Sequence, residues 1–277
     1  MSCFYRGRHS TAGSQPAAAG LLTWLRLLLL LVLAVSSVLL VHTRRQSAAE
    51  EAAFRALASG LPPVPMVVPS PQADAEAVLP EEAPAEIPAE TEYAPLREQN
   101  PDFSGWLNLP GTKIDYPVMA PPDDPEFYLH HAFDRTESRS GTLFVGENAS
   151  IDSDCFIVYG HNMKNDTMFG TLDLYQAPSF RAEHPEFTLT TITEQRTYEV
   201  FAAVYCRILY ENEQGYRYYR QAGDLSEEEY SALVDYLKSQ SIYDTEITPE
   251  YGEQIILLST CSYHTDNGRF LVAARRK

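Results

Sequence analysis

The run Gln254-Ile255-Ile256-Leu257-Leu258-Ser259-Thr260-Cys261 carries an apolar, strand-type segment up to a cysteine, and Ser262-Tyr263-His264-Thr265-Asp266-Asn267-Gly268 turns the chain into Arg269-Phe270-Leu271-Val272. Two strands joined by a polar, glycine-containing turn are the expected reading, with a thiol at the end of one and a guanidinium at the start of the other. About a hundred residues upstream, Phe156-Ile157-Val158-Tyr159-Gly160 delivers His161 to a strand end in the same way. A thiol, an imidazole and a permanent cation, each where a strand meets a loop, are the parts of a thiol acyl-transfer site.

Working outward from that stretch, most of the C-terminal two thirds reads as short strands. Ile114 to Met119, with Pro117 inside it, reads as an edge-like strand after a turn at Leu109-Pro110-Gly111-Thr112. Gly141 to Val145 and Cys155 to Tyr159 read as strands, Met168 to Tyr175 as a short helix, and Phe187 to Thr193 with Arg196 to Tyr210 as a hairpin. Leu225-Ser226-Glu227-Glu228-Glu229-Tyr230 opens the clearest helix: Ser226 caps, Glu229 closes a capping box, and Leu225 staples to Tyr230. Many short strands with one inserted helix predict a mostly β, barrel-like domain.

The N-terminal third is different. Leu21 to Val41 is apolar except for Thr23, Arg26 and Ser36-Ser37, and at about 1.5 Å per residue it spans about 31 Å, enough for a bilayer core. No small-x-small cleavage site follows, so an uncleaved signal anchor is expected, not a removed signal peptide. Ala48 to Leu57 reads as a short helix continuing from it, and the Ala/Pro/Glu-rich remainder as an extended spacer. The expected organisation is a tail at 1–20, a transmembrane anchor at 21–41, a stalk at 42–97 and a catalytic domain at 98–277.

The net charge of −17 excludes a nucleic-acid binder, because no dense Lys/Arg patch is present to neutralise phosphates. The four cysteines, Cys3, Cys155, Cys206 and Cys261, form no CxxC pair and no zinc-type cluster, and the acidic residues do not follow calcium-loop spacing, so neither a metal nor a cofactor is expected. Cys155 and Cys206 read as buried thiols, with a disulfide between them as the alternative. Cys261 is the candidate nucleophile, His161 the general acid/base and Arg269 the oxyanion partner. Ser259, Thr260, Asn162 and Tyr263 are candidate substrate contacts, and Asn162 is also a candidate to orient His161.

These residues reach a family. The segment Leu257-Leu258-Ser259-Thr260-Cys261 resembles the sortase signature T-L-x-T-C with its first threonine replaced by leucine. The stretches DFSGWLNLPGTKIDYPVM (102–119) and YGHNMKNDTMFG (159–170) resemble class B sortases, as does a helix before the last two strands. The resemblance implies a closed sortase β-barrel with peripheral helices, standing outside a Gram-positive cell on an anchor whose N-terminus is cytoplasmic. It implies a cysteine transpeptidase that cleaves a C-terminal sorting motif of surface proteins, keeps the acyl group as a thioester, and passes it to an amine of a peptidoglycan precursor. A pilin-polymerising sortase, an exported cysteine hydrolase using water, and a non-catalytic wall-binding module are the alternatives.

Overall fold

The computed structural model describes residues 16–60, 91–121 and 123–277, with side chains described from Trp24 onward. Most of the 1–20 tail and the Pro-rich centre of the expected stalk lie outside the described residues. The chain divides into two compact units, Met1–Ala49 and Glu50–Lys277.

Helix α1 (Pro16–Ser59) is continuous, so the apolar stretch and the short helix read after it are one element. Trp24, Leu25, the leucines at 27–31 and most of the apolar side chains up to Val41 are exposed. A sleeve of this kind has no favourable place in water, and among the described residues this is the one helix long and apolar enough to cross a membrane. Its hydroxyls suit that setting: Ser37 donates to the Leu33 carbonyl and Thr43 to the Leu39 carbonyl, leaving neither donor bare.

The second unit holds a closed eight-strand barrel. Its strands are β1 (Phe103–Asn108), β2 (Asp115–Met119), β3 (Leu143–Val145), β4 (Cys155–Tyr159), β5 (Glu186–Thr190), β6 (Gln195–Arg207), β7 (Ile255–Cys261) and β8 (Gly268–Arg276). Around the barrel they run β1-β2-β3-β4-β7-β8-β6-β5 and back to β1. The β2–β3 and β4–β7 pairs are parallel and the others antiparallel. Closure leaves β2 with neighbours on both sides, so it is not an edge strand. Its proline is tolerated because pairing with β3 covers only Val118 and Met119, beyond Pro117.

Period-two alternation sorts the side chains. Ile256 and Leu258 of β7 fill the barrel interior with Val158, Phe156 and Val272, while Ile255 and Leu257 face outward into a second cluster. That outer cluster is covered by α4 (Glu227–Gln240), which buries Tyr230, Leu233, Val234 and Leu237 at helical spacing. The predicted capping box is present: Glu229 N–H donates to Ser226 Oγ, and Ser226 N–H donates to the Glu229 carboxylate. Two short helices, α2 (Ala94–Gln99) and α3 (Pro178–Glu183), lie at the periphery.

One further local reading changes, and the reading of Cys155 and Cys206 as buried thiols holds. The helix expected over Met168–Tyr175 is only a 3-10 turn at Leu172–Gln176, because Met168 adopts φ 50° and the Phe169 N–H turns back to the His161 carbonyl. The compact unit that holds the barrel starts at Glu50, because the last turns of α1 pack on it through Phe54. Cys155 and Cys206 are both buried, free thiols. They sit on β4 and β6, three strand spacings apart, on the order of 10 Å or more, and a disulfide needs Cα atoms within about 7 Å. Burial pushes both thiols up to about 12.

Candidate active site

Register alone assembles the site. In the parallel β4–β7 pair, Val158 lies beside Leu258 and Tyr159 beside Ser259. Carrying β4 on by two residues brings His161 level with Cys261. In the antiparallel β7–β8 pair, Cys261 is directly opposite Arg269, which puts both side chains on one face. Imidazole, thiol and guanidinium thus stand in one cross-strand row at the rim of the barrel. All three line a groove of about 780 Å³, together with Tyr159, Ser259 and Thr260 from the strands and Tyr219 and Arg220 from the segment before α4.

Hydrogen bonds hold the two ends of the row in step. Thr260 Oγ1 donates to the Gly160 carbonyl at 2.7 Å, Gly160 N–H donates to the Ser259 carbonyl at 3.3 Å, and Asn162 Nδ2 donates to the Cys261 carbonyl at 2.9 Å. Gly160 is demanded by space, since a Cβ there would come within 2.4 Å of Leu143 Cδ2 and 2.8 Å of the Phe169 ring. Asn162 therefore ties the end of β7 to the loop that carries His161, and its amide donates to that strand and not to the imidazole.

The imidazole is held from another direction. His161 Nε2 lies 2.9 Å from the Leu129 carbonyl, which only accepts, so the proton is assigned to Nε2 and the Nδ1 lone pair is left for proton exchange. Burial lowers the pKa of His161 below its ordinary value, and neighbouring His130 adds to this; the hydrogen bond to Leu129 opposes both. His161 is consequently a neutral base near pH 7. The His130 and His161 ring centroids are 5.9 Å apart.

Arg269 is partly buried, donates from Nη1 to the Gly268 carbonyl, and among the described residues has no carboxylate within ion-pair distance. Its charge is thus not consumed by a salt bridge. Tyr159, on the groove wall, is pushed up to about 12 by burial, against the pull of Arg269, so its hydroxyl stays protonated. Of the other sequence candidates, Ser259 lines the groove with its hydroxyl 3.3 Å from the Tyr218 hydroxyl. Thr260 is spent on Gly160. Tyr263 is 80% exposed and does not line the groove. Sequence reasoning missed the Leu129 carbonyl, because a backbone acceptor has no residue-type signature, and it missed Tyr218, one aromatic among many.

A thiol, a neutral imidazole and an unpaired guanidinium at the edge of a groove supply what thiol acyl transfer requires. Comparison with known proteins agrees. The model of the sortase domain matches residues 107–277. Sortase B of Listeria monocytogenes is 30% identical over 189 residues, covering 66% of this chain and 73% of that protein. Sortase B of Staphylococcus aureus is 26% identical over 196 residues, covering 66% and 74%. Among solved structures, Clostridium perfringens sortase B is 29% identical, with a TM-score of 0.57 over 66% of this chain and 98% of that one. Staphylococcus aureus sortase B reaches a TM-score of 0.60 at 25% identity, over 70% and 90%. With the barrel, the row and these likenesses together, the chain belongs to the sortase family of cell-wall transpeptidases, alongside sortase B.

Proposed function

We propose that Cys261, His161 and Arg269 carry out the transpeptidation, with a C-terminal sorting motif as acyl donor and an amine of the cell wall peptidoglycan as acceptor. The observation that supports this most directly is the cross-strand row, which sets a thiol between a base and an unpaired cation on an open groove. The thiol of Cys261 loses its proton to Nδ1 of His161 and attacks the carbonyl of the motif's threonine. The negative charge that develops on the carbonyl oxygen meets the Arg269 guanidinium. When the tetrahedral intermediate collapses, the C–N bond breaks, His161 returns the proton to the leaving amine, and a thioester to Cys261 remains. An acceptor amine then attacks the thioester, His161 takes its proton, and Cys261 leaves as thiolate and is reprotonated. The amine must reach the thioester before water does, so the groove has to orient it.

In this reading residues 21–41 anchor the chain in the cell membrane with the N-terminus cytoplasmic. Residues 42–97 lead to the catalytic domain at 98–277 outside the cell. Ser259 and Thr260 border the bound motif. The partners are surface proteins bearing the motif and a peptidoglycan precursor.

The test uses the full chain in lipid nanodiscs and a panel of sorting-motif peptides, with and without a short oligoglycine or diaminopimelate-containing amine. The expected result is an acyl adduct on Cys261 by mass spectrometry, ligated product only with amine, and neither in Cys261→Ala. Hydrolysis at the same rate whether or not amine is present would replace the transpeptidase with a hydrolase. Transfer only to a lysine-bearing pilin peptide would replace the wall with a pilin as acceptor.

A further inference from the structure

Glu50 begins the barrel unit, and its carboxylate collects three hydrogen bonds from one loop. Ser138 Oγ and Arg139 N–H donate to Oε1 at 3.1 and 3.2 Å, and Ser140 Oγ donates to Oε2 at 2.5 Å. Both serines are buried, at 7% and 4% exposure, so their two bonds to Glu50 are partly shielded from water, while the Arg139 bond is exposed. One turn later Phe54 is buried against the barrel, edge-on to Tyr116 at 5.3 Å between ring centroids. The end of α1 is therefore fastened at two points, one apolar and one polar.

The loop that Glu50 grips backs directly onto the residues that hold the imidazole. Ser138 N–H donates to the His130 carbonyl, Thr142 N–H to the Tyr128 carbonyl, and Thr142 Oγ1 to the His131 carbonyl. Gly141, at φ 60°, lies so close that a Cβ would come within 2.5 Å of both the Tyr128 and the Leu129 carbonyl oxygens. The Leu129 carbonyl is the acceptor of His161 Nε2. An unbroken series of contacts thus runs from Glu50 through residues 138–142 and the backbone at 128–131 to the base.

We propose that Glu50 is a positioning residue for the transpeptidation: by fixing the 138–142 loop it holds the Leu129 carbonyl against His161 Nε2, leaving Nδ1 as the nitrogen that trades protons with Cys261. The role rests on the assignment of His161 as the acid/base. It makes the end of the apolar N-terminal helix a working part of the catalytic unit and not only a tether. The polar and ionisable groups around His161 are His130 at the end of the 127–129 turn, Cys261 on β7, Arg269 on β8, and Glu126 and Glu147 on the groove wall.

The experiment compares the full chain in nanodiscs with Glu50→Ala, Glu50→Gln, Ser140→Ala and, as control, Glu51→Ala, whose carboxylate pairs with Arg55 along the helix. Imidazole nitrogen spectra of His161 give its titration and the exchange of its Nε2 proton, and kcat and KM are measured on a sorting peptide. In Glu50→Ala the loosened loop admits water to the ring. The His161 titration then moves up toward its ordinary value, the Nε2 proton exchanges with solvent, and kcat falls on the order of tenfold through misplacement of the base. Glu50→Gln, which keeps an acceptor for Ser138 and Arg139, retains most of the activity, and Glu51→Ala behaves as wild type.

A Glu50→Ala protein whose His161 titration and proton exchange match wild type overturns the proposal, even if its melting temperature drops, since the contact is then only structural. If Glu50→Ala fails to fold, Ser140→Ala must shift the imidazole signal relative to wild type and to Glu50→Gln, or the proposal falls. A shifted imidazole signal in a protein that acylates no peptide leaves this inference standing and removes the transpeptidase reading.

Discussion

Replacing Thr260 with valine tests whether the two halves of the site are locked together by a single hydroxyl. Thr260 is 2% exposed and directly precedes Cys261, and its Oγ1 donates at 2.7 Å to the carbonyl of Gly160, which directly precedes His161. Valine keeps the shape and removes the donor. A buried hydrogen bond is worth about 0.5–1.5 kcal/mol net, and an acceptor left without a partner costs about 1–3 kcal/mol. Because the groove lets some water reach Gly160, a loss of about 1–2 kcal/mol is expected, a factor of roughly 5–30 in the folding equilibrium. The same bond sets the His161 backbone against the Cys261 backbone, so kcat is expected to fall by about tenfold, for which about 1.4 kcal/mol in the barrier suffices. Urea unfolding and steady-state acyl transfer measure the two effects, with Thr260→Ser, which restores the donor, recovering both. A Thr260→Val protein indistinguishable from wild type in stability and in kcat would refute the reasoning, because strand pairing alone would then hold the row.

Two further outcomes follow from the site. Arg269→Lys keeps the charge but loses the planar, multi-donor guanidinium, so kcat should drop at least about tenfold while the fold, read by circular dichroism, is retained; near wild-type turnover would deny Arg269 its oxyanion role. His161 titrates below 6.5 when folded and near 6.5 when unfolded, so between those values the unfolded chain binds more protons. Stability therefore falls as pH drops through that window, and His161→Gln should show a shallower loss of urea midpoint between about pH 7.5 and about pH 5.5. Equal slopes in the two proteins would contradict the buried, neutral imidazole.

The contrast between what could be read in the chain and what could not has a physical pattern. Local signals came through: the capping box at Ser226 and Glu229, the apolar β7 ending on Cys261, and the β8 start at Arg269 are set by neighbours a few residues away. Pairings between distant strands did not. Nothing in Phe156-Ile157-Val158-Tyr159 says that its partner is the parallel strand Ile256-Leu257-Leu258-Ser259, yet that pairing is what carries His161 to Cys261. Pro117 suggested an edge, where tertiary closure needed only that the proline avoid the short β3 ladder. Met168 sat in an apolar run resembling a helix, but the loop after His161 closes on itself and forces a left-handed residue there. Glu50 was one acid in an Ala/Glu-rich segment, and its partners are about ninety residues away.

The parallel β4–β7 pairing also has a kinetic meaning. Asn162 and Cys261 meet across a separation of 99 residues, and closing a loop of that length costs about 4 kcal/mol of chain entropy before any contact repays it. Contacts of this range slow folding, because the loop must close before they repay its cost. The Cys261 thiol and the His161 imidazole are therefore brought side by side only when this pairing forms. Before that pairing forms, Cys261 has no imidazole held beside it, and a thiol without such a neighbour is slow toward esters and amides. With the roles proposed for Cys261 and His161, reactivity would appear only as the barrel closes, and a misfolded copy would be a poor catalyst and not a rogue one.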